Sequence, residues 1–202
     1  MNKGLILVVS GPAGSGKGTV NRYLRETGEY VYSVSRTTRA PRPLEKDGED
    51  YLFVSREEFM SYIEENDFLE YNEYCGNFYG TPRSTAQAAI DAGKNIILEI
   101  EVNGARQVKE NCPEAVMIML LPPSFAEQER RLRGRATDSE ESILKRLKQT
   151  HEELRQLALY DYVVINREGE SEEAAKDIMA IVRAEKCARR RNAEMERIYF
   201  EN

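Results

Sequence analysis

The sequence predicts an α/β fold in which a parallel sheet is covered by helices on both faces. Three observations carry that expectation. Short apolar runs alternate with amphipathic stretches along most of the chain, the pattern of doubly buried strands joined by helical crossovers. The first run opens directly into a glycine-rich turn and then into helical spacing. The alternation breaks once, at about residues 33–82, where short aromatic-rich strands surround one helix, as a small inserted α+β lobe would read.

Residues 5–9 form the first strand, and Val20, Tyr23, Leu24 and Thr27 give the helix after it. Within the insertion, residues 51–54 and 68–74 are strands, and residues 55–66 are a helix whose Ser55 and Glu58 have capping-box spacing. Beyond it, helices are expected at residues 84–92, 104–110, 124–133, 140–159 and 171–188, with strands at 95–100, 115–121 and 162–165 between them. Ser124 with Glu127 and Asp138 with Glu141 stand where caps belong, and Gly93 where a C′ glycine belongs. The polar stretch at about 134–140, between two arginine-rich helices, reads as a short lid. On this division residues 1–33 and 83–202 are the core and 34–82 the lobe. The tail has no assigned role, and its triplet Arg189, Arg190 and Arg191 reads as a solvated helix end.

Hydrophobic residues make up 41% and charged residues 32% of the 202 residues, a balance that supports a packed globular chain over a disordered one. The net charge of −6 provides no basic footprint for nucleic acid. Any bound anion must therefore be held by local clusters of Arg and Lys. Cys75, Cys112 and Cys187 lack disulfide or metal-ligand spacing, which suits free thiols in a reducing compartment. His151 stands alone, which nearly excludes histidine-based catalysis and His-rich metal sites. The N-terminal apolar run is too short for a signal or a membrane span, so a cytoplasmic protein with no membrane or nucleic-acid partner is expected. No pattern specifies monomer or homo-oligomer.

Gly11-Pro12-Ala13-Gly14-Ser15-Gly16-Lys17 lies between the first strand and the first helix, the setting a phosphate loop requires. Glycines let successive N–H groups point inward at an anion, and the helix N-terminus adds its positive dipole end. Lys17 supplies a full charge that can follow the phosphates. The motif asks next for Ser or Thr, but Gly18 stands there, with Thr19 following. Either Thr19 makes that contact or magnesium is held largely through water, so no metal ligand is assigned. Mononucleotide kinases of the adenylate kinase type share the Gly-Lys-Gly-Thr sequence.

The insertion concentrates Arg36, Arg39 and Arg42 with several hydroxyls in one loop stiffened by Pro41 and Pro43. Guanidinium forks match phosphate oxygens bidentately, each contact worth on the order of 1.5–3 kcal/mol. Together with the phosphate loop, the motifs Ser33-Val34-Ser35-Arg36-Thr37-Thr38-Arg39-Ala40-Pro41-Arg42, Gly48-Glu49-Asp50-Tyr51-Leu52-Phe53-Val54, Gly76-Asn77-Phe78-Tyr79-Gly80-Thr81, Leu98-Glu99-Ile100-Glu101-Val102-Asn103-Gly104 and Arg131-Leu132-Arg133-Gly134-Arg135-Ala136-Thr137 resemble those of the guanylate kinase family, over nearly the full length of the chain.

That resemblance implies magnesium-dependent transfer of the ATP γ-phosphoryl group to GMP, in purine nucleotide metabolism and GMP recycling. It implies a P-loop core, an inserted nucleoside-monophosphate lobe and a lid. Arg39, Arg42, Tyr51 and Tyr79 look like the clamp on the GMP phosphate, with Glu45 beside them. Ser35, Glu70, Thr81 and Glu101 look like the readers of guanine, and Glu99 looks like a metal-side acid. Residues 11–19, Arg131, Arg135 and Asn166 are expected on ATP, with Asn166 at the adenine edge. Lys17, Arg42, Arg135 and Arg146 supply positive charge to the transferring group. Arg36, Arg130 and Arg133 keep structural or solvated roles. Departures from the family pattern are Glu99 and Glu101 where Asp is common, Leu44 before Glu45 and Ala136 in the lid. A second reading, a non-catalytic protein-interaction module of the same fold, is disfavoured by the intact Lys17 and glycine loop.

Overall fold

The computed structural model describes residues 3–74, 76–134 and 139–201. Arg135, Asp138 and Cys75 lie outside the described residues. The chain opens with β1 (Ile6–Ser10), α1 (Lys17–Glu26) and β2 (Tyr30–Tyr32). It then builds β3 (Arg36–Thr37), β4 (Leu52–Phe53), α2 (Arg56–Glu64), β5 (Phe68–Tyr74) and β6 (Asn77–Pro82). After α3 (Arg83–Asp91) come β7 (Asn95–Leu98), α4 (Val102–Asn111), β8 (Val116–Leu121), α5 (Phe125–Gly134), α6 (Glu140–Leu154), β9 (Tyr162–Ile165), α7 (Ser171–Cys187) and α8 (Met195–Glu201). No helix among the described residues is long and apolar enough to cross a membrane.

Five strands form one sheet in the order β2-β7-β1-β8-β9, with every pairing parallel. The period-2 alternation of side chains sends alternate residues to opposite faces. Leu7 and Val9 join a cluster with Val20 and Leu24 of α1 and Ile178 and Val182 of α7. Ile6 and Val8 face the other way, against Ala86 of α3 and Ala105 and Val108 of α4. Both faces are thus buried, which is why these strands are continuously apolar in sequence.

The other sheet, β4-β3-β6-β5, draws all its strands from residues 36–82. Its core is aromatic: Phe59 of α2 stacks on Phe68 at 4.5 Å and on Phe78 at 5.4 Å between ring centroids. Arg36 lies 3.6 Å over the Tyr62 ring and pairs with Asp67 at 2.6 Å, a structural role. β6 carries Gly80 and Pro82 and gave no strand signal in sequence. A Cβ at Gly80 would lie 2.7 Å from the Phe68 ring, so glycine is what lets this strand pass the stacked aromatics. β2 and β3 are too short to show periodicity.

Local signals mostly hold. Ser55 and Glu58 form both bonds of the capping box, and the Ser124 hydroxyl accepts from the Glu127 N–H. Gly93 adopts φ 76° after α3. The α6 cap bond is made by Ser139, whose hydroxyl accepts from the Ser142 N–H. One expectation changes. The expected helix at 140–159 stops at Leu154 and resumes as a 3-10 turn at Leu157–Leu159.

The basic triplet near the C-terminus is not a solvated helix end. Glu185 of α7 is 2% exposed and accepts from the Tyr162 hydroxyl at 2.5 Å and from Arg191 at 2.9 Å, with Arg190 also on its carboxylate. Arg191 donates onward to the Glu114 carbonyl. Burial alone would raise the Glu185 pKa, but the bonds from Tyr162, Arg191 and Arg190 outweigh it and hold the carboxyl below its usual range.

A depressed folded pKa contributes stability above the unfolded value that is lost as pH falls through the folded one. Glu185→Ala therefore costs about 1–3 kcal/mol in urea unfolding at neutral pH, by removing the acceptor shared by the Tyr162 hydroxyl and the half-buried Arg191. Part of the wild-type loss of stability below about pH 4 disappears in this variant.

Candidate active site

β1 leads into α1 on one face of the five-stranded sheet, whereas the adjacent β7 leads into α4 on the other face. A crevice opens at the carboxyl ends of two neighbouring strands whose connections diverge in this way. The phosphate loop forms one wall of it, after β1, and Glu99 and Glu101 lie on the other, after β7.

The loop is shaped by two glycines whose side-chain space is taken. A Cβ on Gly11 would meet the Leu120 carbonyl oxygen at 2.1 Å, and one on Gly16 would meet Asn166 Nδ2 at 2.3 Å. Gly16, at φ 87°, is the N-cap of α1 and has no side chain to cap the first-turn N–H groups. The Thr19 N–H turns back to the Gly16 carbonyl at 3.1 Å, and the helix N-terminus that remains uncapped by a side chain favours an anion. Lys17 Nζ donates to the Gly11 carbonyl at 2.6 Å and to the Pro12 carbonyl at 3.3 Å, folding the ammonium over the loop. Gly18 and Thr19 are exposed, and a Cβ on Gly18 would meet no atom within 4 Å.

Three side chains brace the loop from behind. Asn166 is buried; its Nδ2 donates to the Ser15 carbonyl at 2.8 Å, and its Oδ1 accepts from the Ser171 hydroxyl at 3.1 Å. Its amide braces the loop with one of its two hydrogens and one lone pair, at the edge of a cleft that Asn166 also lines. Arg131 donates to the Asn166 carbonyl at 2.9 Å and to Glu127 at 2.7 Å. Glu127 is held at a pKa of about 2 by the guanidinium groups of Arg130 and Arg131. Gln128, which the sequence did not single out, donates to the Ala13 carbonyl at 2.9 Å. Arg130 and Arg133 pair with nearby acids, as expected of solvated residues. A cleft of ≈ 380 Å³ beside these braces is lined by Gly14, Gly16, Thr19, Arg131, Asn166 and Arg167.

On the opposite wall, Asn21 Nδ2 donates to Glu99 Oε2 at 2.8 Å, while Asn21 Oδ1 is buried without a partner. Ser15 and Ser33 also carry buried, unpartnered hydroxyls, and the buried hydroxyls of Ser10 and Tyr160 have each other as neighbours. Ser10, Ser15 and Ser33 end β1, sit in the loop and follow β2 respectively. Unsatisfied polar atoms thus gather at the carboxyl edge of the sheet, where a polar ligand or water would complete them. Glu101 is exposed at the N-cap of α4. Arg146 is half-buried on α6.

The inserted lobe brings its expected residues into two groups. In the first, Arg39 Nη2 donates to both carboxylate oxygens of Glu45 at 2.8 and 2.9 Å, Nη1 donates to the Ala40 carbonyl at 2.7 Å, and the guanidinium lies 5.4 Å from the Tyr51 ring centroid. The Tyr79 hydroxyl also bonds Arg39, and the Tyr51 and Tyr79 rings meet edge-on at 6.0 Å. Glu45, held below its usual pKa range by Arg39 and the Arg42 N–H, occupies one guanidinium nitrogen of Arg39. It is the counter-ion of Arg39 and also accepts from the Arg42 N–H at 2.8 Å. Leu44 is 93% exposed and does not disturb this geometry. Arg42 is exposed and Ser35 half-buried.

In the second group, Glu70 on β5 is buried, accepting from the Thr81 hydroxyl at 2.6 Å and from Asn72 at 3.4 Å. Thr81 therefore positions Glu70 and spends its one hydrogen there. A Cβ on Gly104 would approach Glu70 Oε2 to 3.0 Å, so α4 packs its backbone against this acid. Burial raises the Glu70 pKa, only partly offset by Thr81 and Asn72, with no cation contributing.

The family model for guanylate kinase matches residues 3–185. The chain is 53% identical over 193 residues to a guanylate kinase of Halalkalibacterium halodurans, covering 95% of this chain and 94% of that protein. It is 50% identical over 193 residues to one of Thermus thermophilus, covering 96% and 86% respectively. A crystal structure of guanylate kinase from Anaplasma phagocytophilum superposes with a TM-score of 0.70 at 39% identity, over 93% of this chain and 89% of that one.

A raised acid pKa costs stability above the folded value, and that cost vanishes below the unfolded one. Glu70→Gln removes the buried charge while keeping an acceptor for Thr81. Its melting temperature should exceed the wild type's at pH 7, with the gap closing below pH ~4.3. An equal or larger gap at low pH would contradict the burial argument.

Proposed function

The chain belongs to the guanylate kinase family and is an ATP:GMP phosphotransferase, and on that premise we propose how its residues divide the reaction. The observation that carries the division is the buried, cation-free Glu70 held by Thr81. Guanine presents N1–H and the 2-amino group, two donors that a carboxylate accepts. Adenine lacks that pair and would leave Glu70 buried and unpaired, a penalty of roughly 1–3 kcal/mol. Glu70 and Glu101 read that edge, Thr81 fixes Glu70, and Ser35 offers a hydroxyl to O6.

The GMP phosphate is taken by Arg39, Arg42, Tyr51 and Tyr79. Because Glu45 already holds Arg39 through Nη2, the clamp is pre-oriented, and the phosphate exchanges with or joins that carboxylate. ATP phosphates lie over residues 11–19, with Lys17 leaving the loop carbonyls to follow them. Arg131 supports that loop from behind, and Asn166 fixes the loop edge of the adenine cleft.

Magnesium fits the donor set at the loop mouth. Glu99 and Thr19 offer hard oxygens, and Asn21, whose Oδ1 is unpartnered, orients Glu99. No cluster of three acidic, His or Cys ligands occurs among the described residues, which suits an ion that keeps most of its water. When bound, magnesium supplies charge to the β- and γ-phosphate oxygens.

Transfer needs alignment and positive charge more than a base, since the acceptor phosphate oxygen is already anionic. Lys17, Arg42 and Arg146 provide that charge, joined by Arg135 from the lid. Closure of lobe and lid around both nucleotides excludes water and protects ATP from hydrolysis. The free thiols Cys112 and Cys187 suit a reducing cytoplasm.

A coupled assay of ADP formation across GMP, AMP, CMP and UMP should show strong preference for GMP and dependence on magnesium; equal rates with AMP would reject the Glu70 assignment. Lys17→Met should lower kcat at least a hundredfold, the size of an electrostatic transition-state contact, while the circular dichroism spectrum stays native. Retained turnover would remove the role given to Lys17.

A further inference from the structure

α5 and α6 flank the proposed lid, and both rest on the phosphate loop. Leu132 of α5 and Ile143 and Leu147 of α6 form a small apolar cluster against Ala13 of the loop. A chain of buried hydrogen bonds runs through the same joint. Gln128 Nε2 donates one hydrogen to the Ala13 carbonyl at 2.9 Å and the other to Thr150 Oγ1 at 2.8 Å. Thr150 Oγ1 in turn donates to the Arg146 carbonyl at 3.1 Å. Gln128 is 1% and Thr150 2% exposed, so water cannot replace either partner.

From this connection we infer that Gln128 and Thr150 are positioning residues for phosphoryl transfer, setting where Arg146 stands relative to the phosphate loop. The inference rests on the role given above to Arg146. The chain has one direction of function. The Ala13 carbonyl is backbone of the loop that holds the phosphates, and the Arg146 carbonyl is backbone of the turn that presents its guanidinium. Both amide hydrogens of Gln128 are spent on the link, so a shift of α6 by more than a few tenths of an ångström breaks a buried bond. The apolar cluster resists the same shift, because Ala13 packs directly on α5 and α6. An arginine held in this way meets the transferring group in a fixed place, which matters for alignment in the transition state and little for binding GMP in the other lobe.

Thr150→Val keeps the shape and removes both ends of the hydroxyl link. It should lower kcat roughly tenfold, the scale of a small misalignment, with the KM for GMP within about twofold of wild type. Thr150→Ser should restore kcat, and Gln128→Met should repeat the loss; circular dichroism confirms that each variant is folded. In an Arg146→Met background, Thr150→Val should have almost no further effect, since the residue it positions is gone. Wild-type kcat in folded Thr150→Val and Gln128→Met, with Arg146→Met impaired, would overturn the inference alone. An equal tenfold loss in both backgrounds would also overturn it, by showing that Thr150 acts independently of Arg146. Full activity in Arg146→Met would instead fell the reading of Arg146, and this inference with it.

Discussion

The hydrogen bond from Asn166 to the Ser15 carbonyl is the contact on which the remainder of the site depends. A loop that aims its N–H groups at an anion must aim some carbonyls elsewhere, and those carbonyls need donors. Asn166 satisfies Ser15, Gln128 satisfies Ala13, and Lys17 rests on Gly11 and Pro12. The loop is therefore held by side chains that arrive from β9, α5 and α1. Each brace is itself tied down, Asn166 by Ser171 and Gln128 by Thr150. Preorganisation of this kind lets the backbone donors meet phosphate without first being ordered.

Three acids show how environment sorts structure from function. Glu185 is buried with Arg190, Arg191 and Tyr162 around it, and its charge anchors the C-terminal turn. Glu45 is paired with Arg39 and keeps the clamp oriented until an anion competes for it. Glu70 is buried with only a hydroxyl and an amide for partners. The first two arrangements are electrostatically closed. The third leaves a desolvated charge without a cation, a stability cost that persists where function needs it.

Packing between lobe and core explains why Glu70 sits where a base can reach it. Leu69, its neighbour on β5, belongs to the core cluster under α4. Gln107 and Asn111 of α4 bond the β5 backbone at Tyr71 and Leu69. With Gly104 offering no side chain, α4 lies close along the strand and puts the acid at the seam of the two sheets. Glu70 thus lies where both sheets meet, while the Arg39, Tyr51 and Tyr79 group lies within residues 36–82 alone.

The sequence by itself determined the order of elements, the doubly buried sheet, the phosphate loop and the family. These are set by local patterns: continuous apolar runs, glycine spacing and contiguous motifs. It missed β2, β3 and β6, because strands of two or three residues have no periodicity and β6 carries Gly80 and Pro82. It marked Asn166 and Arg131 by position but could not show that they hold the loop, and Gln128, Thr150 and Glu185 gave no signal at all. Their roles arise from partners between 4 and 151 residues away in the chain. Only the tertiary structure decided which carbonyls lacked donors and which acids lacked cations. Hydrogen bonding and burial are settled by what the fold brings together, and spacing along the chain does not record that.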